Sequence, residues 1–180
     1  MSIKKNITID GMEVPFKASA AVPRLYRLKF RRDIYKDFAS LKTDVEEGDE
    51  NKSELDIESL EVFENIAYIM AKHADPENVP DSPDDFLEQF NTFSIYEILP
   101  QLIELWGLNT ATQIESKKNI PTDRPMTTPL FLLRCKQLGL SMTELDLLTI
   151  GLINDMFTER ENDDYDGWNE MASQADFDSF

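Results

Sequence analysis

Apolar positions fall at helical spacing over most of the chain and in two short β-prone runs near its start. Residues 3–9 (IKKNITI) and 12–18 (MEVPFKA) flank Asp10-Gly11. An Asp-Gly pair between such runs predicts a hairpin, because both central turn positions need positive φ. Pro15 cannot donate to a ladder, so the second strand is expected at an edge or with a bulge. Pro23 is expected to open a helix carrying Arg24, Leu25, Tyr26, Leu28 and Phe30, since a first helical turn has no use for its missing N–H. Asp33 restarts the helix with Ile34, Phe38 and Leu41 on one side. Residues 44–54 (DVEEGDENKSE) read as an acidic surface loop.

The spacing predicts a central helix over 56–74, where Leu60, Phe63, Ala67, Met70 and Ala74 recur at three and four residues. Val62, Ile66 and Ile69 widen that face, which implies burial on more than one side. His73, near its end, is expected to act as a cation on the helix dipole. Ser82, Pro83 and Asp85 form an N-terminal capping set, and Ser94 with Glu97 repeats the capping-box spacing. A further helix carries Ile98, Leu99, Leu102, Ile103, Leu105 and Trp106, with Pro100 kinking it or shifting its start and Gly107 closing it.

At Asn109 the pattern changes. Residues 109–128 are polar, contain two prolines and lack apolar periodicity, so they read as a linker. Pro129 then opens a helix closed by Gly139, and Ser141 with Glu144 predicts a second helix reaching about Glu161. These make an αα-hairpin over 129–161, too small to bury both helices alone. Its spare apolar residues, Phe131, Leu132, Leu148 and Leu152, must cover the first domain or bind another protein. Residues 162–180 are acidic with spaced aromatics, the composition of a disordered segment that folds on binding. The expected fold is mainly α with a small N-terminal β-hairpin: a helical domain over 1–108, then the linker, the αα-hairpin and the tail.

Charge changes the picture more than overall composition does. The net charge is -17 over 180 residues. Residues 1–43 nevertheless hold ten Lys or Arg against four Asp or Glu, whereas residues 44–109 hold two against eighteen. So acidic a chain repels nucleic acid as a whole, because phosphate binding needs cations that release counterions. Arg24, Arg27 and Arg31 are spaced to share one helix face. They pair with the acidic middle of the chain or are simply solvated, meet an acidic protein partner, or, as a local exception, contact nucleic acid, in that order of expectation. No run of about 20 apolar residues and no secretory h-region is present, so neither membrane insertion nor export is expected.

Candidate chemistry is sparse. There is no Walker loop, GxGxxG, HExxH or CxxC, and the chain has one cysteine, Cys135, and one histidine, His73. Cys135 reads as a packing residue in an apolar helix. Asp155, Glu159, Asp163, Asp164 and Asp166 lack the ligand spacing of a calcium loop and read as a solvated helix end. No catalytic residue, cofactor or metal is expected, which leaves a binding or assembly protein.

Three stretches carry a resemblance. They are ITIDGMEVPFKASAAVPRLYRLKFRRDIYKD, then ENIAYIMAKHAD with FLEQFNTFSIYEILPQLIELW, and finally TTPLFLLRCKQLGLSMTELDLLTIGLINDMFTERENDD with ASQADFDSF. Together they resemble the tail assembly chaperones of long-tailed bacteriophages of Gram-positive hosts, in the long form with a C-terminal extension. The resemblance implies binding to the tape measure protein to keep it soluble, and recruitment of tail tube subunits by the extension. It also implies a homo-oligomer along the tape measure, a site of action in the host cytoplasm and absence from the mature virion. Such long forms often arise by programmed frameshifting, and Lys117-Lys118-Asn119 permits the adenine run a slip requires. The competing expectation is an acidic DNA mimic or regulatory adaptor, which would need aligned rows of carboxylates that the scattered acids do not supply.

Overall fold

A computed structural model describes residues 1–39, 57–91, 94–118 and 124–163, with side chains in the central helix described from Leu60 onward. The acidic loop at 44–54, Leu41, the stretch 119–123 and the tail from Asp164 lie outside the described residues. The described residues are mostly helical, with one small two-stranded antiparallel sheet among them at the N-terminal end. Strand β1 (Ile3–Ile9) pairs with β2 (Met12–Ala18) in unbroken register, Asn6 opposite Pro15. Both turn residues take the positive φ that the hairpin requires, 50° at Asp10 and 79° at Gly11. Ile7, Ile9, Val14, Phe16 and Ala18 are buried on one face of the sheet.

Helix α1 (Val22–Phe30) has Pro23 in its first turn and ends at Arg31, which adopts the left-handed conformation and donates its N–H to the Arg27 carbonyl. A helical turn follows at 34–39. Helix α2 (Ile57–Ala74) packs across β2 and α1. Val62, Ile66, Ala67, Tyr68, Ile69, Met70 and Ala71 are all buried, so the wide apolar face is covered on several sides. His73 does not act as a terminal cation. Its ring is buried and shares a hydrogen bond of 2.9 Å with the Ser19 hydroxyl. Burial, with Lys17 nearby, lowers its pKa to about 4, so it is neutral near pH 7.

Helix α3 (Pro83–Leu87) is capped by the Ser82 hydroxyl, which accepts from the Asp85 N–H. In the short helix α4 (Ser94–Glu97) the Ser94 hydroxyl donates to Asp10 at the hairpin turn instead of pairing with Glu97. Helix α5 (Leu99–Thr110) starts with Pro100 in its first turn, so the proline sets the start without a kink. It does not stop at Gly107. Asn109 is buried, donates to the Ser19 carbonyl and accepts from the Ile150 N–H, and these long-range bonds hold one further turn in place. The division expected at residue 109 therefore falls inside a helix.

Helix α6 (Thr128–Gln137) is capped by Thr127 and helix α7 (Ile150–Asn162) by Thr149. Ser141 and Glu144 do exchange reciprocal capping bonds, but these frame only a 3-10 turn at Glu144–Asp146. The second helix thus begins eight residues later than its capping box predicts. The reason is tertiary. The Leu147 carbonyl accepts from the Ser2 N–H and the Leu148 carbonyl from the Ala20 N–H, whereas a continuous helix would have directed both along its own axis to the amides of Gly151 and Leu152.

Two buried clusters result. The larger joins the hairpin to α1, α2 and α5, and the smaller joins Ala20 and Ala21 to Phe131, Cys135, Leu145, Ile150 and Ile153. Leu25, Tyr35 and Trp106 pack against both clusters. Residues 111–118 of the expected linker run along α7. Asp155 accepts from the Gln113 and Ile114 amides, and Asn162 accepts from Lys117 and donates to the Glu115 carbonyl. Asp155 is accordingly buried in a structural role and is not part of a solvated helix end.

Candidate interaction surface

Helix α1 buries Val22, Pro23 and Tyr26 and turns its other side outward. Arg24, Arg27 and Arg31, at successive turns, line a cleft of about 250 Å³ together with Leu28 of α1 and Leu132 of α6. The arrangement follows from helical geometry: positions 24, 28 and 31 stand one above another, so Leu28 lies between two arginines. Leu28 is 56% exposed, far more than the large apolar side chains buried in the core.

The three guanidinium groups differ in how they are satisfied. Arg27 Nη1 lies 3.3 Å from Asp33 Oδ2. Asp33 is buried and also accepts from the Tyr35 amide and from the amide and hydroxyl of Thr128, so it ties the end of α1 to the start of α6. That anchor fixes the cleft walls. Arg24 Nε is buried without a hydrogen-bond partner. A buried donor in that state costs about 1–3 kcal/mol. Arg31 is exposed at the cleft edge.

On the other side of Leu28 lies a second, shallower groove of about 560 Å³, lined by Leu25, Lys29, Tyr68, Ile69, Lys72 and His73 among others. Its cations are used locally. Lys72 pairs with Asp81 at 2.7 Å and donates to the Pro76 and Val79 carbonyls, while Lys29 donates to the Asp81 carbonyl and lies over the Tyr68 ring. These bonds close the loop after α2. The arginine side keeps unused donor capacity, and the lysine side has spent more of its own.

The residues expected to bind partners therefore separate. Arg24, Arg27, Arg31 and Leu132 meet in one cleft. Phe131 is fully buried in the smaller core cluster and Leu148 is half-buried against it, so these two cover the first part of the chain. Leu152 is 39% exposed on α7, away from the cleft lining. Leu28, counted in the sequence as one more apolar helix position, is the residue that reasoning missed. Its signal was present in the helical register it shares with Arg24 and Arg31.

Potentially reactive groups are occupied elsewhere. Burial raises the Cys135 thiol to about 11 and raises Tyr35 well above its ordinary value. Among the described residues, no group of three His, Cys, Asp or Glu side chains is arranged to hold a metal ion. No helix among them is long and apolar enough to cross a membrane. No protein-family model, curated protein or solved structure matches the chain.

Proposed function

We propose that the chain is a tail assembly chaperone of a long-tailed bacteriophage. It binds the tape measure protein, keeps it soluble and recruits tail tube subunits in the host cytoplasm, leaving before the virion is complete. The observation that supports this reading most is the α1–α6 cleft, where three arginines surround two incompletely buried leucines in a chain of net charge -17. A helical client can lay apolar side chains on Leu28 and Leu132 while its carboxylates meet the arginines. The acidic remainder of the surface then supplies the repulsion that keeps loaded complexes apart. Several copies along one long client would extend that effect.

Co-expression with the tape measure protein tests the proposal. The intact chain should raise the soluble yield of the client, and Leu28→Glu combined with Arg31→Glu should abolish the gain while the variant itself stays folded. A client equally soluble with and without the chain would refute the assignment. Leu152→Asp should leave client solubility unchanged and weaken recovery of tube subunits, because it alters α7 outside the cleft.

A further inference from the structure

The cleft is lined by three arginines, Arg31 among them exposed, beside Leu28 and Leu132, so it is complementary to an acidic segment with large apolar side chains. Residues 164–180 have that composition. They carry Asp164, Asp166, Glu170, Asp176 and Asp178, no Lys or Arg, and the aromatics Tyr165, Trp168, Phe177 and Phe180. We infer that this segment occupies the α1–α6 cleft of its own chain until a client displaces it.

Position supports the assignment. The Arg160 guanidinium donates to the Gln137 carbonyl, which puts the last turn of α7 beside the end of α6. Leu132 lies five residues back along α6, about 7.5 Å at the helical rise of 1.5 Å per residue. Seventeen residues follow Asp163, and at roughly 3.3 Å each they reach several times that distance. A tethered ligand also competes at a high local concentration, so even weak individual contacts hold it in place. The fold already uses the type of contact invoked: the Arg134 guanidinium lies 4.5 Å over the Phe157 ring. Occupation from within the chain would shield the exposed Leu28 and the half-buried Leu132 of a client-free chaperone, and a client would have to outcompete the segment to bind. The inference takes from the functional reading only that this cleft is a binding surface.

A spin label tests it in the full chain. Cys135 is buried, so a nitroxide reagent labels an introduced Ala172→Cys selectively. The amide signals of Arg27, Leu28 and Leu132 should broaden in the labelled chain and sharpen on reduction of the nitroxide. Broadening should be lost in Arg24→Glu/Arg31→Glu, and also when Asp164, Asp166, Asp176 and Asp178 are replaced by Asn, a change that leaves every described residue intact. It should weaken at 1 M salt, where screening shortens the reach of charge to about 3 Å. Absence of broadening at the cleft refutes the inference, as does broadening that survives both charge variants. A mixture of isotope-labelled chain with separately spin-labelled chain gives broadening only if a second copy supplies the segment, and that result overturns occupation in cis. None of these readouts involves the tape measure protein, so this inference and the functional proposal fail separately.

Discussion

Replacing Gly151 with Ala sets two effects against each other. Gly151 lies in the first turn of α7, and a β-carbon there would stand 1.8 Å from the Ala111 carbonyl oxygen and 2.6 Å from its carbon. Ordinary contacts of this kind are well beyond 3 Å, so α7 and the chain at Ala111 must move apart by more than an ångström. Neither side can yield cheaply, because both contacts are backbone. The displaced strip includes the bonds from Asp155 to the Gln113 and Ile114 amides and the Asn109 bond to Ile150. Amide bonds to a carboxylate contribute about 1.5–3 kcal/mol and neutral ones about 1. Losing part of this set costs about 3–5 kcal/mol. The opposing gain from Ala over Gly in a helix is about 1 kcal/mol. The clash wins, and urea denaturation should show a much lower midpoint. Gly107 supplies the control: it too is helical, nothing lies within 4 Å of its added β-carbon, and Gly107→Ala should stabilise by about 0.5–1 kcal/mol. If the two variants behave alike, residues 111–118 are not packed on α7 and the account of that strip is wrong.

His73 titrates near 4 in the folded chain against an ordinary 6.5, so the unfolded chain binds more protons between those values. Stability should be full above about pH 6.5 and fall as pH drops toward 4, by roughly 2 kcal/mol allowing for residual solvent at the ring; an unchanged slope in His73→Gln would refute this. Cys135 should react with a thiol reagent at pH 8 only as fast as the fold opens, so rapid labelling of the native chain would contradict its burial. Leu148→Asp should cost about 1–3 kcal/mol in urea denaturation while Leu152→Asp stays within about 0.5, and equal costs would show that Leu152 is as buried as Leu148.

Local chemistry was legible in the sequence and remote contacts were not. Asp10-Gly11 dictates its own turn, and Pro23, Ser82 and Pro129 mark helix starts through groups that act within one turn. Gly107 and the Ser141–Glu144 box carry equally good local signals, yet the chain continues through the first and forms only a 3-10 turn at the second. Partners far along the chain decide both: Ser19 and Ile150 for Asn109, Ser2 and Ala20 for Leu147 and Leu148. The polar run at 111–118 looked like a linker because its contribution is backbone N–H groups, which have no hydropathy. In the cleft, the register of the arginines could be read directly. That Phe131 is buried while Leu132 beside it lines the cleft could not, because the two are equally apolar and only their placement on α6 separates them.

Synthesis order gives the stitch between Ala20 and Leu148 a temporal meaning. A ribosome delivers the hairpin and α1 through α5 first, and Ala20, Ala21 and the inner side of Tyr35 then wait for residues 128–153 to cover them. At about 5–20 residues per second that wait lasts a few seconds. For its duration the nascent chain shows an apolar face that the finished one hides, adjacent to the residues both clusters share. A product ending before Thr128 would keep that face for its lifetime. Two proteins identical up to that point would then present different surfaces to the same surroundings, with no residue changed between them.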